Sequence, residues 1–303
     1  MTSSPLDDGT RPAHPARFAL QTDDPLRVAV SETAFGEQDL PDRLLTASAH
    51  GWQRIGLLRQ SVWKFGEERL AELLQARGLR VSSLAWTGGF TGSVGFTYRE
   101  AIEDGRIAVA EAKRLNAETL LVAPGARAGH TFRHAQRVVA DGLRHLGDIA
   151  ARQGVSIAVI TAPTRRLLAR WTCIDTLELA GQLLELVDNT NVGLAVPADR
   201  WHGHPTALPA LRTLAPRIRI VTSHLSRAGD VDPTTPVQNL SVTPTLQLLL
   251  EGGFQGVWEL EAPAETTLLD RSEEASVLRC QAQQYRELAS SLGRRGGVRL
   301  GRW

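Results

Sequence analysis

The chain has 303 residues, and 42% of them are hydrophobic, enough to bury a large core. Its 34 basic and 33 acidic residues leave a net charge of +1, which argues against the strong positive field of a protein that grips nucleic acid. Cys173 and Cys280 are the only cysteines, too few for a disulfide framework or a thiolate metal cage, and this usage fits a reducing, cytoplasmic compartment.

Residues 1–25 carry Asp and Pro where a signal peptide needs an apolar stretch, so they read as a mobile leader. No run of about 18 apolar residues occurs, so no membrane span is expected. Residues 26–292 then alternate short β-branched runs with longer helical patterns. The predicted strands are Arg27–Ser31, Gln53–Leu57, Leu79–Leu84, Thr119–Val122, Ser156–Ile160, Asn191–Val196, Ile218–Thr222 and Gly256–Leu260. They begin about every 33 residues, the length of one strand-plus-helix unit. Glu67–Arg77 reads as a helix stopped by Gly78, and Phe132–Gln153 as one stopped by Gly154 with Val139, Leu143, Leu146 and Ala150 on one face. Leu177, Leu183, Leu184 and Val187 mark the next helix, with Thr172 or Asp175 as its cap, and Ser272–Leu292 supplies a last one, with Glu273 and Glu274 in its first turn. Residues 293–303, rich in Gly and Arg, read as a loose tail.

Nearly all-apolar strands imply a parallel sheet covered on both faces. Eight such units predict a single (β/α)8 TIM barrel, with an open doubly wound sheet as the alternative. In a barrel the chemistry gathers at the C-terminal ends of the strands. Those positions nominate Glu32 after the first strand, Trp86 and the loop 87–95 after the third, and Thr161 after the fifth. Asp199 and His202 follow the sixth, His224 and Arg227 the seventh, and Glu261 the eighth. An imidazole at a strand end can bind a metal or move a proton near neutral pH. Glu259 and Glu261 share a face by the period of two, which puts one inside the barrel and the other at its mouth; a buried salt bridge, for instance to Arg219, is the alternative. The glycine-rich loop fits neither phosphate-binding spacing, and reads as a mobile cover from which Trp86, Phe90 and Phe96 would meet an apolar or sugar-like ligand. Trp52, Trp63 and Trp171 read as packing residues.

The segments AHGWQRIGLL, LLQARGLRVSSLAWTGGFTG, AEAKRLNAETLLVAPG, VVADGLRHLGDIAARQGVSIAV, RIRIVTSHLS and GVWELE resemble the sugar phosphate isomerase/epimerase family, the xylose isomerase-like TIM barrels. The resemblance runs from about Arg27 to about Leu288. It implies a divalent ion (manganese, magnesium, cobalt or zinc) held by a glutamate after strand five, an aspartate after strand six, a histidine after strand seven and a glutamate after strand eight, with the glutamates also moving protons. His224 and Glu261 match the last two positions. Strand five departs, offering Ile160, Thr161 or Ala162; strand six offers Pro197 in register, or Asp199 with His202 at a two-residue offset; and Arg227 stands where an acidic residue is usual.

The expectation is an isomerase, epimerase or lyase-like acid–base enzyme that rearranges a small sugar, polyol or related metabolite. Glu261, His224, Asp199 and His202 would be catalytic, and Glu32, Trp86, Phe90 and Arg227 would bind substrate. The metal would be absent or weakly held by His224, Glu261 and Asp199. The alternatives are a conventional metal-dependent sugar isomerase and a non-catalytic ligand-binding barrel. The expected partner is a small-molecule substrate, not nucleic acid or membrane, and a homodimer is allowed.

Overall fold

The computed structural model describes residues 26–36, 38–161, 172–201, 207–224 and 243–261, with positions 280, 283–285, 287, 290 and 291, the side chains of 199 and 200 excepted. Eight parallel strands form a closed barrel in chain order: β1 Arg27–Ser31, β2 Arg54–Leu58, β3 Arg80–Gly88, β4 Thr119–Ala123, β5 Ser156–Ile160, β6 Val192–Pro197, β7 Ile218–His224 and β8 Val257–Glu261. Closure comes from β1 against β8, with Arg27 opposite Val257 and Val30 opposite Leu260. The open-sheet alternative is thereby set aside.

The helices among the described residues include α1 Leu40–Ala49, α2 Arg59–Phe65, α3 Glu67–Arg77, α4 Tyr98–Arg114, α5 Phe132–Gln153, α6 Leu177–Val187, α7 Ala198–Trp201, α8 Leu208–Leu214 and α9 Thr243–Glu251, and the described positions from 280 to 291 are helical as well. Helices α3 and α5 end where expected, at Gly78 and Gly154, whose φ of 64° and 72° are left-handed and suit glycine. The α6 cap differs from expectation: the Thr176 hydroxyl accepts from the Leu179 N–H, because the cap must directly precede the first helical residue. Thr172 instead accepts from the Ile174 N–H within the preceding turn. No helix of the described residues is long and apolar enough to cross a membrane. Glu273, Glu274, residues 1–25 and the tail 293–303 lie outside the described residues.

Two apolar layers follow from the strand alternation. Val28, Val30, Ile55, Leu57, Leu84, Leu120, Val122, Ile157, Val159, Leu194, Val196, Trp258 and Leu260 join the helices in the larger core. Ala29, Leu121, Ala158, Ala195, Ile220 and Val257 form a separate cluster from six different strands, which is the barrel interior. Ala85, Trp86 and Ile160 pack against that cluster.

Several strands run one or more residues further toward their C-terminal ends than the apolar runs predict. β3 runs four residues past Leu84, to Gly88, and contains the cis Ala85–Trp86 peptide. This extension relocates the glycine-rich segment. The Gly89 N–H donates to the Ala123 carbonyl at 2.8 Å, and a Cβ on Gly88, whose φ is 124°, would stand 2.1 Å from that same oxygen. Phe90 follows into the helix layer, where it is 1% exposed and packs against Gly142 of α5.

Candidate functional site

His224 and Glu261 are the last residues of β7 and β8, and they are direct partners in the parallel ladder. Both are partly exposed. Their orientation follows from parity. Ile220 and Val257 belong to the interior cluster, and the ladder between β7 and β8 is regular from there, so Thr222 and His224, like Glu259 and Glu261, share the inward face. The intervening Ser223 faces outward, where the Trp258 indole N–H donates to its hydroxyl at 2.7 Å.

One step below the mouth lies Glu259, 3% exposed. The Ser82 hydroxyl donates to its Oε2 at 3.0 Å, and the Ser83 hydroxyl lies 3.1 and 2.9 Å from its two oxygens. Gly56 of β2 makes the room: a Cβ there would come within 2.1 Å of Oε1. Burial, and then the charge of Glu261, push the Glu259 carboxyl up to about 7, against the opposing serine hydrogen bonds. The expected alternative of a salt bridge to Arg219 does not hold for this residue. Arg219 donates instead to the Thr190 carbonyl at 2.9 Å, and hydroxyls satisfy the buried carboxyl.

The other nominated residues fall in different places. Glu32 is fully buried in a short 3-10 turn after β1, where its Oε1 accepts from the Leu58 N–H at 3.0 Å and the Ser61 hydroxyl at 2.7 Å. It therefore ties the end of β2 to the first turn of α2. Burial raises its pKa, opposed by the Ser61 and Leu58 hydrogen bonds and by the Arg43 charge. Phe90 lies in the helix layer rather than over the mouth, because its loop is tied to β4. Trp86, in contrast, is half-buried against the interior cluster. Thr161 is buried, and both its N–H and its hydroxyl reach the Ala195 carbonyl, at 3.1 and 3.0 Å, which laces β5 to β6. Asp199 lies in α7 directly after β6. His202 and Arg227 lie outside the described residues. Trp63, expected to be a packing residue, is 57% exposed.

Sequence reading missed Ser82, Ser83 and Gly56 as surroundings of Glu259. The adjacent serines in an apolar run, and a glycine inside a neighbouring strand, are the signals that could have found them.

A divalent ion needs several oxygen or nitrogen donors. At the mouth β7 and β8 offer His224 and Glu261, whereas β5 presents Ile160, packed on the interior cluster, and β6 ends on Pro197, paired with inward Thr222. Among the described residues no group of three histidine, cysteine, aspartate or glutamate side chains is placed to hold a metal ion. The described donors do not make up such a site by themselves.

A profile of xylose isomerase-like TIM barrels matches residues 45–287. The chain belongs to this family. Several solved structures superpose on the chain at low identity. A protein from Sinorhizobium meliloti 1021 is 20% identical, with a TM-score of 0.68 over 86% of this chain and 98% of the other. An IolI protein with a bound zinc atom is 19% identical, with a TM-score of 0.68 over 88% of this chain and 99% of its own. An L-ribulose 3-epimerase is 14% identical, with a TM-score of 0.70 over 91% of this chain and 100% of its own. At such identities the likeness is one of fold. A search of curated proteins found no matching sequence.

Proposed function

We propose that this xylose isomerase-like barrel is a sugar isomerase or epimerase-like enzyme that rearranges a small oxygenated substrate by proton transfer. The observation that carries the proposal is the registered pair His224 and Glu261, side by side on the inward face at the C-terminal mouth of the barrel. Family membership and an epimerase among the superposable structures support the substrate class.

In this reading the ionised Glu261 carboxylate takes a proton from the carbon next to a substrate carbonyl. Protonated His224 gives a proton to the carbonyl oxygen, which leaves an enediol. The C=C bond collapses back to a carbonyl as Glu261 returns its proton at the neighbouring position, and the hydroxyl proton goes back to His224; an epimerisation would need a second acid, the role open to Asp199 or His202, to protonate the opposite face. Asp199, from α7, and His202 would assist, and Arg227 would hold an anionic substituent.

Glu261→Gln and His224→Ala test the assignment against a panel of L-ribulose, D-psicose and D-fructose, with folding checked by thermal melting. Each substitution is expected to lower turnover by about 100-fold or more while the melt stays within a few degrees. Unchanged turnover in both variants would remove the proposal. The conventional metal-dependent reading, with His224, Glu261 and Asp199 as ligands, gains support from the zinc-bearing relative. Elemental analysis of chelator-free protein decides it: stoichiometric metal that disappears in His224→Ala favours it, and full turnover after metal removal refutes it.

A further inference from the structure

The end of β3 is held from outside the barrel by an ionic group remote from His224 and Glu261. Arg59, the first residue of α2, is 3% exposed. Its Nε donates to Glu111 Oε2 at 2.6 Å, and its Nη1 reaches the two Asp104 oxygens at 3.0 and 2.9 Å. The same Nη1 donates to the Trp86 carbonyl at 3.3 Å. The Thr87 hydroxyl donates to Asp104 Oδ2 at 2.5 Å, and the Trp63 indole N–H donates to Glu111 Oε1 at 2.8 Å.

Two carboxylates from α4 thus grip one guanidinium, and through it the Trp86 carbonyl, while Asp104 also holds the Thr87 side chain directly. A buried ionic group of this kind contributes little net stability over well-packed apolar side chains, so its role lies in what it orients. What it orients is the point where β3 slips register against β4, between Ala85 and Thr87. The Trp86 side chain leaves the backbone there and packs against the interior cluster. In a closed ring of eight strands β3 stands opposite β7, so the indole and His224 belong to opposite walls of the barrel.

We propose that Arg59, gripped by Asp104 and Glu111, is a positioning residue that fixes the Trp86 indole as the wall opposite His224 and Glu261, against which the carbon-bound hydrogens of a sugar or polyol stack. Only the ligand in this statement rests on the proposed function; the positioning is readable without any ligand. An aromatic face offers a sugar a rigid apolar surface at little entropic cost, whereas a phosphate or a carboxylate would gain nothing there.

The test uses the full chain labelled with 5-fluorotryptophan. The sequence holds seven tryptophans, and Trp86→Phe assigns the Trp86 fluorine signal. Arg59→Lys keeps the charge but loses the planar fork, and Thr87→Val leaves the Arg59 grip intact while cutting the second tie. Both variants are expected to shift or split the Trp86 signal while the Trp258 signal, from the helix side of β8, stays in place and reports an intact barrel. Titration with L-ribulose, D-psicose and D-fructose is expected to move the Trp86 signal for at least one ketose, with about tenfold weaker half-saturation in Arg59→Lys. An unmoved Trp86 signal in both variants would overturn the positioning role. A signal that moves in the variants but with no ketose would uphold the positioning role, overturn the stacking of sugar and place the fault in the proposed function.

Discussion

Replacing Glu259 with glutamine should remove a pH dependence from the stability of the barrel. The native carboxyl has its pKa raised from 4.5 to about 7 by burial and by the charge of Glu261, so between these values the folded chain holds a proton that the unfolded chain has lost. The stabilisation from that proton is complete below pH 4.5, declines as pH rises toward 7 and is gone above it. The span corresponds to about 3 kcal/mol. Glutamine is nearly isosteric, leaves the Ser82 and Ser83 hydroxyls a partner and carries no charge at any pH. Urea unfolding of both proteins at pH 5 and pH 8 measures the effect. The two should be close in stability at pH 5, and the variant should be the more stable by about 3 kcal/mol at pH 8. Glu32, also raised by burial, is present in both proteins and cancels in the difference. If the difference between the two proteins at pH 8 equals that at pH 5, the argument from burial and like charge fails.

Three further substitutions probe the frame around the site. Gly142→Ala should lower the melting temperature, because the added Cβ would meet the buried Phe90 ring at 2.7–2.9 Å. Overpacking at about 1–3 kcal/mol there outweighs the roughly 1 kcal/mol gained in helix propensity. Glu111→Ala strips one carboxylate from buried Arg59, which keeps Asp104, and the acceptor from the Trp63 indole, and should cost about 1–3 kcal/mol in urea unfolding. Thr97→Ala removes the reciprocal capping of α4, in which Thr97 and Glu100 each accept from the other's backbone N–H, and should cost about 1 kcal/mol in the same assay.

The barrel was legible because each strand core is an apolar run and each long helix ends on its own local signal, as at Gly78 and Gly154. Strand ends were less legible for a physical reason. Apolar runs mark the stretch packed under the helices, whereas Ser223, His224 and Glu261 continue the backbone ladder with polar side chains toward the mouth. The pairing of His224 with Glu261 could be read from position, since both follow strands that are neighbours in any closed ring. The surroundings of Glu259 could not, because Ser82, Ser83 and Gly56 reach it only through the inter-strand register. The Arg59 group was illegible for the same reason: it draws on α2, β3 and α4, each with an ordinary local sequence. Phe90 misled because glycine richness suggests a free loop, whereas those glycines allow close approach to β4.

The seam between β1 and β8 joins segments about 230 residues apart, as Arg27 opposite Val257 illustrates. A contact of such separation is entropically expensive to form and comes late in folding. Glu261 sits on one strand of that seam, β8, and His224 on its other neighbour, β7. A nascent chain lacking β8 would leave two raw sheet edges open to foreign strands and would carry an imidazole without its carboxylate neighbour. The pairing of His224 with Glu261 and protection against aggregation are therefore acquired in one stroke, when the last strand snaps into place.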